Sequence, residues 1–130
     1  MNITIDASVV LAVILNEPTK PILLERTQGA ELLSPPSLPW EIGNALTALF
    51  KRRRLDVDQA RAALKAFDRI PVRLAEIDIE PAVALAEEHN MYAYDAYVIE
   101  CARRYQTPMM SLRRRQCAVA SDVGIEILEV

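Results

Sequence analysis

The stretch MNITIDASVVLAVILNE, residues 1–17, decides the fold class. Its first five residues are mostly apolar or β-branched, which is typical of a buried strand, and Asp6 ends that strand. The run that follows has the alanine and leucine content of a buried helix, which stops near Pro18. Short apolar strands and helical stretches alternate along the rest of the chain. We therefore predict an α/β fold with a central, mainly parallel sheet of four or five strands flanked by helices.

The other boundaries follow from prolines, glycines and capping residues. The predicted strands are residues 1–5, 30–34, 70–77, 108–112 and 125–130. The predicted helices are residues 7–17, 19–29, 38–54, 58–69, 78–90, 95–106 and 113–124. Expected helix starts are Thr19, Ser37, Asp56 or Asp58, Asp78, and Tyr94 or Asp95.

Length and composition indicate one ordinary globular domain over residues 1–130. The chain has 130 residues, of which 52% are apolar and 25% charged, and a net charge of -3. Cys101 and Cys117 form no CxxC pair, so we expect reduced core thiols in a cytoplasmic protein. The amino-terminal apolar run lacks a basic leader, carries Asp6 and is too short to span a bilayer. Neither a signal peptide nor a membrane span is expected.

Three acids stand where the pattern calls for apolar residues. Asp6, Glu41 and Asp95 each begin a mostly apolar helix. Each could be a helix cap or a surface residue favoured by the helix dipole. In open parallel sheets, however, ligands bind beyond the carboxyl ends of the strands, and grouped carboxylates need a compensating cation. A hard divalent ion such as Mg²⁺ takes oxygen ligands, so a metal site is the functional alternative.

Aromatic side chains are few, and we expect them to serve packing. Trp40 is the only tryptophan, and it stands among apolar positions of the third helix. Tyr92, Tyr94 and Tyr97 surround Asp95 and are expected to fill the edge of the core.

Three motifs together resemble the PIN domain family, most closely the VapC-like toxins of bacterial type II toxin–antitoxin pairs. They are IDASVVLAVILNE at residues 5–17, SLPWEIGNAL at residues 37–46, and YAYDAYVIECA at residues 92–102 followed by PMMSL. The resemblance covers essentially the whole chain. It implies a parallel sheet flanked by helices, a Mg²⁺- or Mn²⁺-dependent endoribonuclease, a homodimer, and a small antitoxin as partner.

Carried over residue by residue, the resemblance implies a site of three acids. Asp6 would be the first metal ligand, Glu41 the second acid and Asp95 the third. Ser8 stands where the family often has a hydroxyl beside the first acid, with a local helix-start hydrogen bond as the alternative. Asn44 is expected in support, because it shares a helix face with Glu41.

One position departs from the family pattern. Where the family usually reads Thr-Leu-Asp after the fourth strand, this chain reads Ser111-Leu112-Arg113. Ser111 keeps the hydroxyl, but Arg113 replaces a fourth acid with a permanent cation. Two hypotheses follow. Either Arg113 points outward or contacts a substrate phosphate in a working one-metal enzyme, or it lies across the acids of a catalytically weak RNA- or antitoxin-binding protein.

Basic residues at helix ends are candidates for RNA contact. Arg52 and Arg53 lie in the block that ends the third helix, and Arg114 follows Arg113. The alternative is a solvated helix end, since cations are favoured there by the dipole. Receiver domains and phosphatases of the haloacid dehalogenase type also place an acid after the first strand. Both are disfavoured, because Ser8 replaces the second phosphatase acid and no lysine follows the fourth strand.

Overall fold

The computed structural model describes residues 1–130 and has four strands and seven helices. The strands are β1 (Asn2–Ile5), β2 (Glu31–Ser34), β3 (Val72–Leu74) and β4 (Met109–Met110). The helices are α1 (Ala7–Ile14), α2 (Lys20–Thr27), α3 (Leu38–Lys51), α4 (Val57–Asp68), α5 (Ile79–Glu88), α6 (Ala93–Tyr105) and α7 (Arg114–Asp122). All strand pairs are parallel, in the order β3-β2-β1-β4. The predicted α/β fold class is confirmed.

Helices cover both faces of the sheet, as the alternation along β1 requires. Ile3 and Ile5 point to one face and pack with apolar side chains of α1 to α4. Thr4 points to the other, where its hydroxyl lies 2.7 Å from that of Thr107, next to α6. Met109 belongs to that second layer, with α5, α6 and α7. The carboxyl ends of all four strands therefore meet at one edge, between the two helical layers.

The predicted fifth strand at residues 125–130 is wrong. Only Ile127 pairs with the sheet, through a single bridge to Met109. Its potential partner β4 is two residues long, because Pro108 precedes it and the chain turns out of the sheet at Ser111. Strands β3 and β4 are both shorter than predicted. Each lies at an edge of the sheet and has only one partner strand.

Several helix starts differ from the prediction. Thr19, Ser37 and Asp78 precede α2, α3 and α5 as expected, but none of their side chains bonds a helix N–H. Proline explains this, since Pro21, Pro39 and Pro81 occupy early helix positions and remove an N–H that a cap would bond.

Asp6 and Asp56 do accept helix N–H bonds, from Val9 and Gln59. Helix α6 begins earlier than predicted, at Ala93, so Asp95 is its third residue and not its cap. Cys101 is buried and Cys117 half-buried, both as free thiols. None of the helices is both long and apolar enough to cross a membrane.

Candidate active site

Asp6 is the most deeply buried carboxylate at the carboxyl edge of the sheet, with 1% of its surface exposed. Its Oδ1 accepts hydrogen bonds from the Ser8 hydroxyl (2.5 Å) and the Val9 N–H (3.3 Å). Its Oδ2 accepts from the Ser111 hydroxyl at 2.5 Å. Burial raises the pKa of Asp6 above its ordinary value, although the Ser111 and Ser8 bonds oppose the rise. Asp6 therefore combines a helix cap with a charge held fixed at the end of β1.

The two serines tie β4 to the start of α1. Ser8 Oγ lies 3.5 Å from Ser111 Oγ and accepts the Leu112 N–H at 2.9 Å. Ser111 Oγ accepts the Arg113 N–H at 3.0 Å. The segment after β4 is thereby held against Asp6. Ser8 makes the local helix-start contact and also orients the carboxylate, so the two interpretations of Ser8 are compatible.

Glu41 lies on the first turn of α3 and is half-buried. Burial raises its pKa to about 7, and the carboxylates of Asp6 and Asp95 add to the rise. A Ser37 hydroxyl bond to Oε2 at 3.2 Å and the charge of Arg113 oppose it. Asp6 and Asp95 therefore both lie within electrostatic reach of Glu41.

Arg113 lies among these acids and pairs with one of them. Its Nη1 donates to Asp95 Oδ1 at 2.9 Å, with 48% of the Arg113 side chain and 31% of the Asp95 side chain exposed. Its charge also lowers the pKa values of Asp6 and Glu41. Arg113 therefore points inward, towards the carboxylates.

The donor set suits a hard divalent cation, because it consists of carboxylate and hydroxyl oxygens. The side chains of Asp6, Glu41 and Asp95 share one edge of the sheet but do not converge on one point. No three Asp, Glu, His or Cys side chains are close enough together to hold a metal ion. The residues fit the ion by chemistry, but one oxygen of Asp95 is engaged by Arg113, so joint coordination by all three acids requires side-chain movement.

The other predicted site residues lie farther out. Asn44 is exposed on α3, one turn beyond Glu41. Arg52 and Arg53 are exposed at the far end of that helix, about 16 Å from Glu41 by helix rise. Arg114 is exposed at the start of α7, next to Arg113. Only Arg114 adjoins the acids, so Arg52 and Arg53 could contact RNA only at a distance from them.

Two contacts were missed from the sequence. Ser37 was expected as a cap, and its hydroxyl instead positions Glu41, four residues on, which an i,i+4 reading would have suggested. Gln116 is buried, and its Nε2 donates to the Asp95 carbonyl at 3.3 Å. No sequence signal distinguishes Gln116 from a surface glutamine.

The aromatic side chains near the acids do not pack as predicted. Trp40 is 73% exposed, Tyr92 86% and Tyr94 52%, so the expectation of core packing is wrong for all three. Tyr97 is half-buried and meets Tyr94 edge to face, with ring centroids 5.7 Å apart.

Two cavities flank the amino-terminal end of α6. One, of about 370 Å³, lies between the loops after β2 and β3 and the helices α3 and α6, and includes Trp40 and Tyr97. The other, of about 410 Å³, is lined by Tyr92, Asp95, Arg113 and Gln116, among others. Both volumes are in the range of small-molecule sites.

Residues 3–121 match the model of the PIN domain. The fold is similar to the crystal structure of PAE2754 from Pyrobaculum aerophilum, with a TM-score of 0.71 at 19% identity, covering 92% of this chain and 79% of that one. It is also similar to VapBC2 from Rickettsia felis, crystallised with a DNA fragment from their promoter (TM-score 0.66, 11% identity, covering 99% and 98%). A third similar structure is VapC20 of Mycobacterium tuberculosis, described as a sarcin–ricin loop cleaving toxin (0.64, 15%, covering 98% and 99%). None of the curated proteins matches this chain.

Proposed function

The chain belongs to the PIN domain family, and on this premise we propose that it is a metal-dependent endoribonuclease, the toxin of a toxin–antitoxin pair. The observation that carries the proposal is the grouping of Asp6, Glu41 and Asp95 at the carboxyl edge of the sheet, where the charges of Asp6 and Asp95 help to raise the pKa of Glu41. Perturbed carboxylates in a cleft are typical of catalytic sites.

In this proposal Asp6, Glu41 and Asp95 hold Mg²⁺ or Mn²⁺. Such an ion activates water and neutralises charge on the phosphoryl group during hydrolysis. The chain supplies the rest. Ser8 and Ser111 fix both oxygens of Asp6, and Ser37 orients Glu41. Glu41 must lose its proton to bind a cation, which its pKa of about 7 permits at slightly alkaline pH.

A second candidate is a catalytically weak or inactive protein that binds RNA or an antitoxin through the same surface. The Arg113–Asp95 ion pair favours it, because the guanidinium already occupies part of the space between the acids. The two candidates differ in whether a divalent ion can displace Arg113 from Asp95.

Cleavage of a structured RNA separates them. Wild-type protein and Asp6→Asn are incubated with the RNA in Mn²⁺, in Mg²⁺ and in EDTA, and the products are mapped by primer extension. We expect metal-dependent cuts at defined positions with wild type only. Equal decay in both proteins would mean a contaminating nuclease, and no cutting at any metal concentration would favour the inactive candidate.

The partners remain part of the proposal. The similar VapBC2 structure, bound to a DNA fragment from their promoter, supports a cognate antitoxin as a partner here. A homodimer is carried over from the family resemblance, and sedimentation velocity tests it. Free thiols and an RNA substrate suit a single cytoplasmic domain over residues 1–130.

A further inference from the structure

The cavity beside α3 combines apolar walls with polar groups at its rim. It has a volume of about 370 Å³ and opens at the carboxyl edge of β2 and β3. Its lining includes Trp40, Ile77, Tyr97, Glu76, Asp78 and Arg104. Asp78 and Arg104 form only a loose ion pair, at 3.8 Å and largely in solvent, so their hydrogen-bonding groups remain available to an occupant.

Trp40 is not used by the fold. It is the only tryptophan of the chain, and 73% of its surface is exposed. The neighbouring Leu38 and Ile42 are fully buried and supply the packing of this turn of α3. A large indole left in solvent at the mouth of a cavity is available for stacking on a planar ligand.

The cavity adjoins the candidate active site through Ser37. This residue lines the cavity, and its hydroxyl donates to Glu41 Oε2 at 3.2 Å. An occupant of the cavity is therefore one side chain away from Glu41.

We propose that this cavity is a base-binding subsite, in which an unpaired base of the RNA substrate stacks on Trp40. The inference rests on the proposed function and specifies its substrate as RNA with a splayed-out base next to the cleavage point. Unpaired bases are recognised by stacking on aromatic side chains and by hydrogen bonds to their edges. Glu76 and Asp78 supply acceptors, and Arg104 supplies donors. Two carboxylates suit the amino group of cytosine, which offers two N–H bonds, better than uracil, which offers one N3–H between two carbonyl oxygens. The subsite therefore prefers cytosine to uracil.

The charges favour a base over a second copy of this chain as the occupant. The cores of protein–protein interfaces are depleted of Glu and Asp, whereas this cavity carries both beside an arginine. A base needs this combination of a stacking plane with a few polar groups.

The single tryptophan provides the test, because emission from the protein at indole wavelengths reports on Trp40 alone. Wild-type protein in EDTA is titrated with hexacytidylate and with hexauridylate, and indole emission is followed. Labelled oligonucleotides give the affinity independently by anisotropy. We expect quenching at lower concentrations of hexacytidylate, about tenfold weaker binding for Trp40→Ala, and near-normal binding for Trp40→Phe, which keeps a stacking ring. Asp78→Asn is expected to reduce the preference for cytosine.

Two results would overturn the inference. Oligonucleotides that bind by anisotropy without quenching, and with equal affinity for Trp40→Ala, would place RNA elsewhere. Emission that changes with protein concentration in the absence of RNA, together with dimers that Trp40→Ala abolishes, would assign the cavity to self-association. These outcomes are separate from the nuclease proposal. If Trp40→Ala cleaves RNA as wild type does, in a metal-dependent way, only the subsite proposal is wrong. If wild type shows base-selective quenching but no cleavage, only the nuclease proposal is wrong.

Discussion

Arg113 determines the electrostatics of the acid group. A carboxylate at its position would add negative charge for a second metal ion, whereas the guanidinium compensates part of the charge already there. The structure shows it bonded to Asp95 and lowering the pKa values of Asp6 and Glu41. Arg113 therefore stabilises the group of acids in the absence of a metal ion, and under the proposed function it would compete with the cation.

Removing this competitor should strengthen metal binding. We expect Arg113→Gln to bind Mn²⁺ about tenfold more tightly than wild type, because a unit charge a few ångströms away costs about 1 kcal/mol or more even when half-exposed. Isothermal titration calorimetry measures the dissociation constant of Mn²⁺ for both proteins. Arg114→Gln is the matched control, since Arg114 is exposed and makes no ion pair. An equal gain in both variants would show a general charge effect and contradict a specific role of Arg113.

Glu41 predicts a pH dependence of stability. Its pKa is raised from 4.5 to about 7 in the folded protein, so folding disfavours the charged form. The stability that the protonated form provides is lost as pH rises from about 4.5 through about 7. We expect Glu41→Gln, which stays neutral, to gain stability over wild type at pH 8 and little at pH 4.5, by urea unfolding in EDTA. Glu80→Gln, at an exposed position, is the control, and a gain independent of pH would contradict the assignment.

Among the elements, α4 has the most complete hydrogen bonding at its amino-terminal end. It begins with a full capping box, in which Asp56 accepts the Gln59 N–H at 2.8 Å and Gln59 accepts the Asp56 N–H at 2.9 Å. Apolar packing adds to the cap at this end, because Ala60 and Ala63 are buried and Leu55, just before the cap, packs against the core. The cap and this packing together determine where α4 begins.

Replacing the cap should destabilise the protein measurably. We expect Asp56→Ala to lower the free energy of unfolding by about 1 kcal/mol, whereas Asp56→Asn, which keeps the acceptor, stays close to wild type. Urea unfolding followed by far-ultraviolet circular dichroism gives both values. A loss of the same size in the asparagine variant would attribute the effect to charge and not to the cap.

Across the whole molecule, hydrophobic periodicity predicted where the strands and helices lie. The contacts between distant side chains could not be predicted in this way. The apolar residues of β1 and α1 are too many to be left in solvent, so both elements must be buried. The central strand and the position of Asp6 at its end therefore follow from the sequence alone. Trp40 lies two residues from the buried Leu38 and Ile42, about 160° around the helix from each, so the helical period already places it opposite the buried face. The inward direction of Arg113 depends on its contact with Asp95, which is eighteen residues away in sequence, and only the assembled sheet edge brings the two together.

Metal binding should be visible as global stability, because an ion that binds only the folded group of acids shifts the unfolding equilibrium. At a Mn²⁺ concentration about 100 times the dissociation constant, linkage adds about 2.7 kcal/mol, or about 10 °C in Tm for a domain of this size. Differential scanning fluorimetry with Mn²⁺ and EDTA measures the shift. We expect Asp122→Asn, which alters an exposed acid on α7, to keep the shift, and Asp6→Asn to lose it. Asp6 is buried beneath two serine hydroxyls, so a shift that survives in Asp6→Asn would mean that the ion binds outside the carboxyl edge of the sheet.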